Sequence, residues 1–492
     1  MLELGEKYEY NGRELFATDY GRHIISEDNE AECSVYVRKE LFYYLDRAYY
    51  SANICQQKIG THGESYYGFF TMAFYVKTTN NDTERKKVLS LFNKFFSDMT
   101  INKHGKIRLK QRALPHRLQN VSTLISILVD MYEISSDKKY LDYANDLAEF
   151  LMSLQSKDGS YRSHGTHYTC VIYPAKSMLE LATIEKKVGL IDRYNTHFSS
   201  AVRAIDNLNT LKDNIQTEGQ MTFEDGMISC EALQLAFLAT LVDDEKLKKS
   251  YTDTAEMILE KHTCLEQIAI PDCRCIGATL RFWEARYDIN FRSNMLNCPH
   301  GWTSWKNYAS YYLYILTGKR KYLKDLMNTI GACLQMIDEN GILNWAFILD
   351  PYVVGEKMVK SNKLQGFDFE TYVVSEEYLP MVSDWHRQKP KVMPMQYIIN
   401  FSKLGLLFDK HGSCDNDVHE HFKCIEECIF GKIFIHLENE NQVLYNCYIE
   451  NNTYYTKDKY AKQAIVYSEK VSNVNIMDKD YTLNKGINII DL

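Results

Sequence analysis

The sequence predicts a mainly α fold: six helical hairpins closed into a ring, followed by a small antiparallel β appendage at the C-terminal end. Three observations predict it. Apolar residues recur at helical spacing from about residue 32 to about residue 410, the helical segments alternate between two characters, and after residue 430 the pattern changes to alternation of period two.

The first kind of segment is amphipathic and charged on one side, and covers 32–53, 82–97, 138–154, 192–209, 245–263 and 319–338. The second kind is more apolar and rich in small residues, with starts near 66, 119, 168, 226, 302 and 396. A helix polar along one side faces solvent, whereas one apolar nearly all round is enclosed, so one of each kind makes a hairpin with an outer and an inner member. Between members lies a recurring turn: Lys103-His104-Gly105-Lys106-Ile107, Lys157-Asp158-Gly159-Ser160-Tyr161, Thr217-Glu218-Gly219-Gln220-Met221 and Glu339-Asn340-Gly341-Ile342-Leu343. Glycine relieves the left-handed backbone at a helix end, and the short extended run after it carries the chain inward. The four glycines stand 54, 60 and 122 residues apart, and the last interval is two units of about 61, the period of a helical-hairpin repeat. Nonidentical units with bulky inner residues favour a closed (α/α)6 toroid over an open superhelix, which would carry polar capping repeats. In such a ring the turns before the inner helices converge on one mouth.

After residue 430, Lys432–Leu437, Gln442–Ile449 and Gln463–Tyr467 alternate in polarity and are separated by Asn-rich turns, which predicts antiparallel strands. The domain organisation that follows is an N-terminal extension over 1–30 with a strand or two, a ring over 31–410, and a short helix with the β appendage over 411–492. The appendage is small enough to need the ring as support.

Composition excludes several classes of function. With 45% apolar and 25% charged residues the chain is an ordinary globule rather than a disordered or fibrous one. A net charge of −8, with lysines scattered rather than striped, offers no field for phosphates and excludes nucleic acid as the expected partner. The N-terminal Met-Leu-Glu-Leu-Gly-Glu is acidic where a signal peptide would be basic, and no apolar run approaches membrane-spanning length, so the expectation is a cytoplasmic protein with no membrane partner. Thirteen cysteines, an odd number without small-domain spacing, agree with reduced thiols. Cys273 and Cys275 are too close for a zinc knuckle, and His419, His421, Cys424 and Cys428 are read as a short, partly exposed helix rather than a metal centre, so neither a metal nor a cofactor is expected. The 36 tyrosines, 22 phenylalanines and 5 tryptophans supply flat faces with polar rims, which suit sugar rings, although most must be core.

The segments before the inner helices supply the candidate site residues. Pro115-His116-Arg117 precedes the second, Ser163-His164-Gly165-Thr166-His167-Tyr168 opens the third, Glu224-Asp225 the fourth and Pro299-His300-Gly301-Trp302-Thr303-Ser304-Trp305 the fifth. Carboxyls, histidines, an arginine and two tryptophans at one rim exceed what bare loops need. Each also has a structural reading. Asp225 with Glu224 beside it fits a helix N-cap, His164 and His167 fit core histidines bonded to backbone, Trp302 and Trp305 share a helical face and fit the core, and Arg117 fits a simple ion pair as well as a fork for a uronate carboxylate.

Three segments also carry a resemblance. Phe223-Glu224-Asp225-Gly226-Met227, Gly301-Trp302 and Asn340-Gly341-Ile342-Leu343-Asn344-Trp345 occur in the order of short motifs found in six-hairpin glycosidases of the unsaturated glucuronyl and rhamnogalacturonyl hydrolase type, and over about 30–410 the chain resembles that family. Phe223 stands where the family has tryptophan, His300 where it has asparagine, and the segment 264–300 is longer. The resemblance implies an exo-acting glycoside hydrolase that removes a glucuronic or other uronic acid residue, saturated or unsaturated, from an oligosaccharide. It makes Asp225 the proton donor. A second rim group, Glu224 or a histidine among His167 and His300, would activate water, with His116, Arg117, His164 and Tyr168 holding carboxylate and hydroxyls, Trp302 stacking on the ring and Trp305 a further substrate-binding residue. Two other functions stay open: a toroid lyase that cleaves uronates by β-elimination with Tyr168 and His167, and a noncatalytic helical-repeat binding protein. The sequence leaves the oligomeric state undetermined.

Overall fold

The computed structural model describes residues 4–10, 13–18, 67–97, 99–101, 107–109, 112–113, 118–163, 166–212, 229–261, 263, 303–334, 357–364, 367–373, 416–438 and 441–492. In chain order the helical part contains β1 (Leu4–Tyr10), β2 (Arg13–Thr18), α1 (Gly68–Thr79), α2 (Asp82–Ser97), β3 (Met99–Ile101), β4 (Ile107–Leu109), β5 (Arg112–Ala113), α3 (Leu118–Ser135) and α4 (Lys139–Ser153). It continues with β6 (Arg162–Ser163), β7 (Thr166–His167), α5 (Tyr168–Val171), α6 (Pro174–Lys187), α7 (Ile191–Leu211), α8 (Ser229–Leu241), α9 (Glu245–Lys261), α10 (Thr303–Thr317), α11 (Arg320–Leu334), β8 (Lys357–Leu364), β9 (Phe367–Val373) and α12 (Asn416–Cys428).

Local chemistry explains the boundaries. Asn81 Oδ1 accepts from the backbone N–H of Thr83 at 3.0 Å and of Glu84 at 3.2 Å, which starts α2, and Asp82 and Glu84 lie in its first turn, where the dipole favours them. Asp244 does the same for α9 through Lys246 and Leu247, at 2.8 and 3.0 Å. The α1 helix stops at Asn80, which takes the left-handed conformation and donates back to the Val76 carbonyl.

Two kinds of helix emerge. In α4 the buried side chains are Tyr140, Leu141, Ala144, Leu147, Ala148 and Leu151, one stripe with charge opposite, whereas in α8 nearly every residue from Ser229 to Ala239 is buried. The enclosed helices pack in the order α1, α3, α6, α8, α10, α12, each on the next, and α12 returns to α1. The amphipathic helices α2, α4, α7, α9 and α11 lie outside this ring, each against two consecutive inner helices. The outer segments expected at 82–97, 138–154, 192–209, 245–263 and 319–338 are therefore present within a few residues. The segment 32–53 and the inner helix expected from about 396 lie outside the described residues.

One assignment changes. Residues 416–428, read from sequence as a short, partly exposed helix belonging to the appendage, are the inner helix α12 that stands between α10 and α1. His419, His421, Cys424 and Cys428 are buried. The helix was misread because its charges looked solvated, whereas they are paired inside the ring: Lys423 with Asp130 at 2.6 Å, Glu426 with Lys77 at 2.7 Å, and Glu427 with Lys176 at 3.1 Å.

The C-terminal strands are β10 (Lys432–Glu438), β11 (Asn441–Tyr445), β12 (Tyr448–Glu450), β13 (Thr453–Tyr455), β14 (Gln463–Ser468), β15 (Ser472–Ile476), β16 (Lys479–Leu483) and β17 (Gly486–Asp491). They form two four-stranded sheets, ordered β11-β10-β14-β17 and β12-β13-β15-β16. The expectation of a purely antiparallel appendage is corrected: β10 pairs parallel with β14, and β13 with β15. Alternation along a strand reports which face is buried and carries no information on which partner it takes. The first sheet has two buried faces. Phe434, Val443, Tyr445 and Ile465 join the core of the helices, while Ile433, Ile435, Leu444, Ala464 and Val466 join a separate core with Tyr454, Ile476 and Leu483 of the second sheet. Tyr314 of α10 ties the two parts together, since its ring meets Phe434 and its hydroxyl lies 3.2 Å from His436 Nδ1. The hairpin β8–β9 lies where no strand was anticipated, within the span assigned to the ring. Among the described residues no helix is long and apolar enough to cross a membrane.

Candidate active site

The interior of the ring is lined, on four of the inner helices, by side chains one helical turn apart. On α12 these are Glu420, Lys423 and Glu427; on α10, Trp305, Tyr308 and Tyr312; on α6, Lys176 and Glu180, with Tyr173 just before the helix; on α3, Thr123, Ser126 and Asp130.

The charged members meet across the ring. In the packing order α6 and α12 are opposite each other, yet Lys176 Nζ reaches Glu427 Oε2 at 3.1 Å and also bonds Glu180 on its own helix. The same ammonium lies 4.3 Å from the centre of the Tyr308 ring of α10, a cation–π contact. Lys423 joins Asp130 of α3 at 2.6 Å and Glu427 at 3.3 Å, and Lys77 of α1 joins Asp130 at 2.8 Å and Glu426 at 2.7 Å. Ser126 and Ser177 complete the set with a 2.9 Å hydrogen bond, and Ser126 also bonds Glu180.

Burial and charge divide the carboxyls of this network. Burial pushes Glu180 up to about 7 against the opposing pull of Lys176. Burial also works against the Glu427 carboxylate, but Lys176 and Lys423 outweigh it and hold that group down to about 2. The two carboxyls are hydrogen-bonded to each other, so they titrate as a pair in which Glu180 is the member that carries the proton. For Lys176, burial disfavours the charged form, and Glu180 and Glu427 more than offset it.

One turn nearer the N-terminal ends of the inner helices, Glu420 Oε2 accepts from the Trp305 indole N–H at 2.8 Å. The Trp305 ring meets Tyr173 edge-on, with centroids 6.2 Å apart. Burial, and to a smaller degree the charge on Glu427, pushes the Glu420 carboxyl well above the ordinary carboxylate range. This level therefore combines aromatic faces with a carboxyl whose burial favours the protonated form, a surface suited to a hydroxylated ring.

Three of the residues singled out from sequence lie among the described ones. Trp305 is buried, and its indole N–H donates to Glu420. Tyr168 is the first residue of α5 and its backbone N–H donates to Tyr161 at 2.9 Å. His167 has both ring nitrogens engaged, Nε2 with Asn207 Oδ1 of the outer helix α7 at 3.0 Å and Nδ1 with Cys170 Sγ at 3.2 Å. Burial lowers the basicity of the ring. Asp225, Glu224, His300, His116, Arg117, His164 and Trp302 lie outside the described residues. Sequence reasoning passed over Lys176, Glu180, Glu420, Lys423 and Glu427. The available signal was charge at spacings of three and four in otherwise apolar segments, Lys176/Glu180 and Glu420/Lys423/Glu427.

No protein-family model matches the chain, and no curated protein sequence matches it. Solved structures similar to it include a polysaccharide lyase (16% identity, TM-score 0.47, covering 63% of this chain and 42% of that one) and a GH127 β-arabinofuranosidase (12% identity, TM-score 0.46, covering 90% and 62%). An unsaturated glucuronyl hydrolase specific for heparin is similar at 12% identity and TM-score 0.44, covering 79% of this chain and 97% of that one. The chain thus spans less than two thirds of the length of the first two.

Proposed function

We propose that this chain is a carbohydrate-active enzyme on an (α/α)6 toroid, an exo-acting glycoside hydrolase that releases a terminal uronic acid residue from an oligosaccharide. Asp225 is the general acid, protonating the glycosidic oxygen of a saturated uronate or the vinyl-ether carbon of an unsaturated one. Glu224 or His300 activates water, Arg117, His116, His164 and Tyr168 hold the sugar's carboxylate and hydroxyls, and Trp302 stacks on its ring. The observation that supports exo action is the Lys176–Glu427 bridge between opposite inner helices. Charges joined at 3.1 Å across the ring fill its interior at that level, so a chain entering from the N-terminal ends of the inner helices meets a floor. A pocket with a floor receives a chain end and not a chain middle.

The experiment is incubation with 4,5-unsaturated uronate oligosaccharides and with saturated glucuronides, following ultraviolet absorbance and released sugar for wild type and Asp225→Asn. Hydrolysis removes the absorbance of the unsaturated substrate or frees glucuronic acid, and Asp225→Asn abolishes either. Absorbance generated from saturated polymer would mean elimination instead. The engagement of both His167 ring nitrogens weighs against elimination through that residue. Activity in neither assay would leave the noncatalytic binding protein.

A further inference from the structure

Glu420 is a buried carboxyl to which no role falls in the reaction described above, and its position is specific. The α12 residues Lys423 and Glu427 reach Asp130 of α3 and Lys176 of α6, which fixes that stripe of the helix toward the interior of the ring. Glu420 begins the stripe, about 5 Å nearer the N-terminal ends than Lys423 and about 10 Å nearer than Glu427 at the helical rise, on the N-terminal side of the ion-paired floor. It is 3% exposed, and one oxygen is fixed by the Trp305 indole at 2.8 Å.

Its electrostatic setting differs from that of every carboxyl below it. The charged and ionisable groups sent toward α12 include Lys77 from α1, Asp130 from α3, Lys176 and Glu180 from α6 and Tyr308, Tyr311 and Tyr312 from α10. Each lysine is committed to Asp130, Glu180, Glu426 or Glu427, as is Lys423 on α12 itself, and among the described residues no cation stands within ion-pair distance of Glu420. Burial and the neighbouring Glu427 charge push the group well above the ordinary carboxylate range and favour its acid form. An ionised glutamate at this place would repel an anionic sugar. A neutral one has a hydroxyl to donate, and a carboxylate is the strongest acceptor a sugar can offer it.

We propose that Glu420 is the recognition group for the acidic end of the substrate, its hydroxyl donating a hydrogen bond to a carboxylate oxygen of the terminal uronate while its other oxygen stays on Trp305. The residue is a specificity determinant and transfers no proton. This rests on the reading of the chain as an enzyme for uronic acid termini and adds the residue that distinguishes a uronate from a neutral sugar.

The test is calorimetric binding of an unsaturated chondroitin disaccharide, with cellobiose as the neutral control, in the Asp225→Asn background at neutral and alkaline pH. Glu420→Gln keeps a neutral donor and a Trp305 acceptor, whereas Glu420→Leu keeps the volume and loses the donor. Affinity for the acidic disaccharide should fall at alkaline pH with Glu420 present, become independent of that change in Glu420→Gln, and drop roughly ten- to hundredfold at all pH values in Glu420→Leu. An alkaline fall that persists in Glu420→Gln, or a Glu420→Leu protein that is folded and binds as before, overturns the proposal while leaving the hydrolase reading intact. If Glu420→Leu does not fold, the pH profile of Glu420→Gln decides alone. A chain with Glu420 present that neither binds the disaccharide nor, with Asp225 restored, converts it overturns both.

Discussion

Replacing Lys176 by methionine tests the floor of the ring, because this ammonium holds opposite helices together through Glu180 and Glu427. Methionine fills similar space against Tyr308 and leaves the acids one positive charge short. The least costly response is for Glu180, already pushed up to about 7, to keep its proton. At about 1.4 kcal/mol per pH unit that costs about 1.4 kcal/mol at pH 8 and nothing at pH 5, where wild-type Glu180 already carries the proton. Lys423 remains 3.3 Å from Glu427 and keeps that carboxylate paired, so the destabilisation is expected to be larger at pH 8 than at pH 5 by about 1.4 kcal/mol. The sign follows from linkage: Glu180 has a raised value in the wild type and a higher one in the variant, so the penalty grows as pH rises through about 7. Urea unfolding followed by circular dichroism at the two pH values measures this. A loss below about 1 kcal/mol at pH 8, or an equal loss at both, would refute the account. Lys176→Met combined with Glu427→Leu should recover most of the stability, since it removes both charges.

Three further outcomes are expected. His419 and His421 are held down to about 3 by burial, so their stabilisation is complete above 6.5 and is lost as pH falls towards 3; His421→Leu should shrink the stability drop between pH 6.5 and pH 4 by about 3 kcal/mol in chemical unfolding. Gly318 has φ +65°, and a Cβ there would stand 2.3 Å from the Tyr467 ring, so Gly318→Ala should lower stability by about 1–3 kcal/mol in calorimetry by forcing the first C-terminal sheet off α10. Gly159 has φ +88° and faces the Arg203 carbonyl at 2.2 Å from a built Cβ, so Gly159→Ala should destabilise by a similar amount, with a lower thermal midpoint as the readout.

The outer helices were legible because solvent on one side and core on the other write a period of 3.6 into residues such as Tyr140, Ala144, Leu147 and Leu151. The inner helices were legible by contrast with them. The sixth was not, because Lys423 and Glu427 look like a solvated face until their partners, some 250 to 300 positions earlier, are known. The same limit hid the parallel pairing of β10 with β14, which depends on a neighbour and not on the strand. At the site, the aromatic lining was legible in composition. Which tryptophan stood beside an acid was not, since the hydrogen bond from Trp305 to Glu420 joins residues 115 apart.

The order of synthesis gives the late position of α12 a further consequence. Five inner helices leave the ribosome before the sixth exists, and contacts such as Thr71 with His419 span 348 positions. Until residue 428 has emerged, the ring has a gap one helix wide, Asp130 and Lys176 lack their α12 partners, and the walls around them are open to water. Closing so long a loop adds little entropy per residue but must come last, so the nascent protein spends most of its elongation as an open arc with a sticky inner face. A chain stopped shortly before residue 416 is therefore a substrate for holding chaperones, and release from them coincides with insertion of the final wedge.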